Sequence, residues 1–143
     1  MALQQLTVFL ENKQGKLAKV TDLLAKNKID LRALSIADTA EFGILRLIVN
    51  DIEKAKKILS DENFLVQITD VVGVRLSDRP GELSMVLSEL DRAQINVEYL
   101  YAFLTPTENS AYVVLRVADN AAAEKLLTRA GFCLVGKADI DVQ

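Results

Sequence analysis

Apolar residues alternate with polar ones from Leu3 to Leu10, placing Leu6, Val8 and Leu10 on one side, the period-2 pattern of a half-buried strand. The period then lengthens. Leu17, Val20 and Leu24 fall on one face of a helix over 15–28, and Leu31, Leu34 and Ile36 mark a strand over 29–37. A turn at 38–41 leads into a dense strand over 42–49 carrying Leu45, Leu47 and Val49. Asp51 is placed to cap a helix over 52–60 whose stripe is Ile52, Ala55 and Leu59. A short strand over 64–68 closes the half. The second half runs in the same order: a strand over 71–76, a helix over 80–93, and an aromatic-rich strand over 96–104. A turn at 105–109, a strand over 111–117, a helix over 121–130 behind Asp119, and a closing strand over 132–140 follow.

The agreement extends to single positions. Gly15 aligns with Gly81, a shift of 66 (81 − 15), and the same shift pairs Val8 with Val74, Leu17 with Leu83, Val20 with Val86 and Leu24 with Leu90. Past a longer second hairpin the shift becomes 68 (132 − 64), matching Asp51 with Asp119, Ala55 with Ala123 and Phe64 with Phe132. This is a tandem duplication of a β-α-β-β-α-β unit. Each unit predicts an α+β, ferredoxin-like sandwich, an antiparallel sheet with two helices on one face. The units are expected over residues 1–69 and 70–143. Thr69-Asp70 contains no Gly or Pro to act as a free tether, so direct packing is expected, with strands 31–37 and 97–103 as joining edges. Phe9, Ile44, Ile48, Tyr112 and Val114 fall on the strand faces away from the helices and call for a covering partner.

The stretch that invites chemistry is Asp78-Arg79-Pro80-Gly81-Glu82-Leu83, where a strand passes through a Pro-Gly break into an amphipathic helix. Pro80 suits a first helical turn, where a missing N–H costs nothing. Gly81 stands where the first helical N–H groups lack internal acceptors. Such backbone attracts an anionic group, and a Cβ there would obstruct its approach. Asn12-Lys13-Gln14-Gly15-Lys16-Leu17 repeats the device without the proline. A free amino acid could place its carboxylate on those N–H groups and its ammonium against Asn12, Asp78 or Asn96. Lys16 and Glu82 make the two mouths electrostatically different. Tyr99, Tyr101 and Phe103 alternate along one strand face, as pocket lining or as core.

Composition removes alternatives. The chain has no His, hence no ordinary general base or zinc ligand, and a single cysteine. Cys133 lies in an apolar run and reads as a buried, inert thiol. Neither a P-loop pattern nor a Cys-x-x-Cys metal loop is present. A net charge of −3 with no Lys/Arg run beyond a pair disfavours a nucleic-acid backbone. The N-terminus lacks a signal-peptide pattern and no apolar run has membrane-spanning length, so a soluble, cytoplasmic protein that binds no membrane is expected.

The Asp78-Arg79-Pro80-Gly81-x-Leu83 signature on a split-βαβ unit, together with the repeat, resembles the ACT domain family of small-molecule regulatory modules. The whole chain is similar to the stand-alone tandem-ACT proteins of bacteria, which lack a catalytic domain. The resemblance implies a non-catalytic sensor without a cofactor, binding an amino acid at interfaces between domains. It further implies a homodimer that changes its own assembly or acts on a metabolic enzyme. By position it assigns one site to Asn12, Lys13, Gln14, Gly15, Lys16 and Leu17 and another to Asp78, Arg79, Pro80, Gly81, Glu82 and Leu83. Other readings are an RRM-like nucleic-acid-binding module, which shares the topology, and a protein-interaction subunit without a ligand. Phe42-Gly43-Ile44-Leu45 faintly resembles the third RRM strand, but stacking aromatics and basic charge are lacking there.

Overall fold

A computed structural model describes residues 3–38, 42–104 and 109–141; of the turns expected at 38–41 and 105–109, residues 39–41 and 105–108 lie outside them, and Asp38 ends a strand. The chain forms two compact units, Gln4–Thr69, and Asp70 onward together with Leu3.

In the first unit, β1 (Leu3–Glu11), α1 (Lys16–Lys26), β2 (Leu31–Asp38), β3 (Phe42–Val49), α2 (Ile52–Asp61) and the start of β4 (Leu65–Ser77) follow in order. The strand order is β2-β3-β1-β4. Antiparallel registers place Val8 beside Leu45 and Leu34 beside Leu47. One sheet face, with Leu6, Val8, Leu10, Leu45 and Leu47, packs on Val20, Leu24, Ala55 and Leu59 of the helices. Full burial of a leucine is worth about 1.5–3 kcal/mol, so this stripe pins the register.

The second unit takes the rest of β4, then α3 (Glu82–Arg92), β5 (Tyr99–Ala102), β6 (Ser110–Arg116), α4 (Asn120–Arg129), β7 (Cys133–Val135) and α5 (Lys137–Asp141). Its strands are ordered β7-β4-β6-β5. Val72, Val74, Leu76, Val113 and Leu115 pack on Val86, Leu90, Ala123 and Leu127. Both sheets are antiparallel with helices on one face, as the duplication requires.

The helix ends repeat as well. Asp51 accepts from the Lys54 N–H at 3.2 Å, and Asp119 from the Ala122 N–H at 3.0 Å. At the C-termini, Lys28 and Gln94 both take positive φ (60° and 59°), as do Asn63 and Gly131 (68° and 92°). Behind them the Ile29 N–H donates to Leu24 O and the Ile95 N–H to Leu90 O, both at 2.9 Å.

Several expectations need correction. The segments 64–68 and 71–76 form one strand, because Thr69-Asp70-Val71-Val72 offers nothing to break it. Among the described residues β2 pairs only with β3 and β5 only with β6, so each is an edge strand. Pro80 and Gly81 precede α3 rather than opening it. The closing strand is only three residues long. Gly136 donates to Asp139 Oδ2 at 2.8 Å and turns the chain into α5. Ile48 and Val114 are 0% exposed within the single chain, so neither requires a second copy to cover it.

Candidate functional site

The β1–α1 and β4–α3 loops are copies down to their backbone angles. Gly15 (φ 87°, ψ −12°) and Gly81 (φ 91°, ψ −8°) both adopt the left-handed conformation at the helix N-cap. The Lys13 N–H donates to Glu11 O at 2.8 Å and the Arg79 N–H to Ser77 O at 2.9 Å. The first full helical bonds, Lys19 N–H to Gly15 O and Met85 N–H to Gly81 O, are both 3.0 Å. Between turn and helix, the N–H groups of Leu17, Ala18, Leu83 and Ser84 have no intrahelical acceptor. A Cβ built on either glycine meets no atom within 4 Å, so the space beside each is open. Glycine is therefore required first by the backbone angle.

The side chains break the symmetry. In the first loop, Lys13 Nζ lies 2.9 Å from Glu11 Oε2, both well exposed (71% and 52%). That hydrogen bond, then the charges of Lys13 and Lys16, holds the Glu11 carboxyl below its ordinary range. The hydrogen bond to Glu11 in turn raises the Lys13 ammonium. In the second loop the carboxylate comes from the helix side. Glu82 accepts from the Ser77 hydroxyl and from Arg79 Nη2 at 2.6 Å and Nε at 3.2 Å. The Ser77 hydrogen bond, then that from Arg79, keeps Glu82 below the ordinary carboxylate range. Its side chain is 11% exposed against 75% for Arg79.

The second loop borders a cleft of about 370 Å³, whose polar lining is Arg75, Ser77, Arg79, Glu82, Asn109 and Ser110. Arg79 and Glu82 were among the expected residues; the other four were not. Arg75 and Ser77 are legible in principle, because alternation puts them opposite the core-facing Val74 and Leu76. Asn109 and Ser110 arrive through the register of Ser77 with Ser110, which no local pattern announces. Cys133 also lines this cleft and is exposed, contrary to the expected buried thiol. Phe132, just before β7, and Leu134 within it pack against the core, and Cys133 between them is turned away.

Asn96 is not brought to this loop. It lines a separate cleft of about 670 Å³ with Leu87, Asp91, Gln94, Ile95 and Val97, beyond the C-terminal end of α3. The eleven residues of that helix carry the chain about 16 Å away from Gly81 before Asn96 is reached. Asn12, Lys13, Gln14, Gly15 and Leu17 are exposed, as are Asp78, Pro80 and Gly81, whereas Lys16 and Leu83 are half-buried. Tyr99 stacks on Tyr101 (6.4 Å, 22°) and Phe103 meets Tyr112 edge-on at 5.4 Å, lining neither cleft.

Two near-identical glycine loops on duplicated βαββαβ units make a specific constellation, and the ACT domain pair profile matches residues 1–140. The chain belongs to the ACT domain pair family. Crystallised protein BT0572 from Bacteroides thetaiotaomicron is 42% identical to this ACT domain pair, with a TM-score of 0.92 over 100% of this chain and 98% of that one. The ligand-free regulatory subunit of aspartate kinase from Thermus thermophilus is 15% identical, with a TM-score of 0.66 over 90% and 92%. Aspartate kinase from Synechocystis, 20% identical with a TM-score of 0.56, matches 90% of this chain with 25% of its own. At those identities the regulatory subunit and the kinase share the fold with this chain. No curated protein matches the chain significantly. No helix of the described residues is long and apolar enough to cross a membrane.

Proposed function

We propose that this ACT domain pair is a non-catalytic cytoplasmic sensor that binds a free amino acid at its strand–helix loops. Residues 12–17 of the unit spanning 1–69 form one site, and residues 78–83 of the unit spanning 70–143 the other. The observation that carries the reading is the duplicated loop. Each copy has a left-handed glycine, open space beside it and N–H groups awaiting an acceptor, the arrangement that suits a carboxylate. Asn12 and Asp78 supply oxygens for the ammonium; Asn96 is assigned no part in the loop of its own unit. The fold is shared with a regulatory subunit of aspartate kinase, which supports a metabolic enzyme as the regulated partner. A homodimer is the proposed assembly.

A melting-temperature screen of the twenty standard L-amino acids tests the reading. At a hundredfold excess over its Kd, a single-site ligand adds about 2.7 kcal/mol. For a chain of this size that raises Tm by on the order of 5 °C. A flat response to every amino acid at millimolar concentration refutes the sensor.

A further inference from the structure

The same position of the duplicated helix carries Lys16 in one loop and Glu82 in the other, and the two side chains behave differently. Lys16 has no ion pair among the described residues. Glu82 folds back across its loop to the Ser77 hydroxyl at the end of β4 and to the Arg79 guanidinium. Those are two of the side-chain donors that line the adjoining cleft, beside Arg75, Asn109 and Ser110. The carboxylate of the first loop, Glu11, is 52% exposed and clipped to Lys13 alone, a contact that water and salt weaken. That of Glu82 has three donor bonds and is 11% exposed, so it holds its place far better.

We propose that Glu82 is the gating residue of the second loop: a carboxylate held at the first helical turn by Ser77 and Arg79, whose charge opposes a ligand carboxylate approaching the N–H groups behind Gly81. This rests on the sensor reading above and makes the two loops unequal. The first loop fills first, and the second responds only at higher concentration.

The test is calorimetric titration of the full chain with the standard L-amino acids that shift its Tm. Wild type should bind one molecule per chain and a second roughly tenfold more weakly. Glu82→Gln, which removes the charge, should strengthen the weaker binding roughly tenfold and leave the stronger one unchanged. Arg79→Gln removes a donor and should weaken it further. Opposite signs at two residues in contact separate gating from a general loosening of the loop. If Glu82→Gln does not fold, Glu82→Lys takes its place, since lysine already occupies the equivalent position behind Gly15. Two equal sites in wild type, or a weaker binding that neither Glu82 variant strengthens, overturn the gate while leaving the sensor intact. Absence of binding in wild type and in every variant overturns both.

Discussion

At Gly15 and Gly81 the backbone angle, not crowding, excludes other residues. An added Cβ has room, but φ near 90° is a conformation L-residues avoid. Gly15→Ala and Gly81→Ala should therefore fold and lose about 1–2 kcal/mol each, measured by urea unfolding. Unchanged midpoints would show that the loops relax freely and that their shape is not built in. The charged residues beside them set an acid response. The folded-state pKa of Glu82 lies below the ordinary value of about 4.3, so its ionised form favours the folded chain. That contribution is complete above the ordinary value and is lost as pH falls through the lowered folded value. Glu11 acts in the same sense. Lys13, raised, contributes fully below about 10.4 and loses its contribution as pH rises through its folded value. Circular-dichroism melts between pH 7 and pH 3 should show Tm falling less steeply in Glu82→Gln than in wild type once the pH drops below about 4.3. Parallel curves would mean that Glu82 gains nothing from Ser77 and Arg79 in solution.

At the scale of elements, the legible part was the part that periodicity and repetition govern. Leu6-Val8-Leu10 and Leu17-Val20-Leu24 each report a period, and the 66- and 68-residue shifts carry that reading from α1 and α2 onto α3 and α4. Even the caps obey the shift, Asp51 with Asp119 and Lys28 with Gln94. What escaped was decided locally or at long range. One side-chain bond, Asp139 to Gly136, ends β7 early, and an apolar run such as Cys133-Leu134-Val135 says nothing about its own length. The walls of the cleft beside the second loop depend on cross-strand register, which brings Ser110 beside Ser77 from 33 positions away (110 − 77). The loops were found because glycine and the helix start leave a local mark. Their side-chain pairings were not, because Glu82 could as well have pointed into solvent from the first helical turn.

At the scale of the whole molecule, the case for a second copy passes from sheet faces to sheet edges. Ile48 and Val114 are already buried in one chain and argue for nothing further. The edge strands remain. β2 has eight residues and, among the described residues, pairs with β3 alone, so its outer side is a sheet edge. Ile36 on it is 50% exposed. Long edges of this kind are normally shortened, charged or covered, because they recruit another strand, and β2 carries its charges, Arg32 and Asp38, only toward its two ends. β5 presents only four residues and is the weaker candidate. Pairing of β2 with its symmetry mate would satisfy both edges at once through a self-complementary two-fold contact. Light scattering at micromolar concentration should then return twice the 15.8 kDa of one chain. Ile36→Lys should shift the mass toward 15.8 kDa while leaving the far-UV spectrum unchanged, since that side chain lies largely outside the core. A monomer in wild type, with and without amino acid, would rule the dimer out. A dimer untouched by Ile36→Lys would move the contact away from β2.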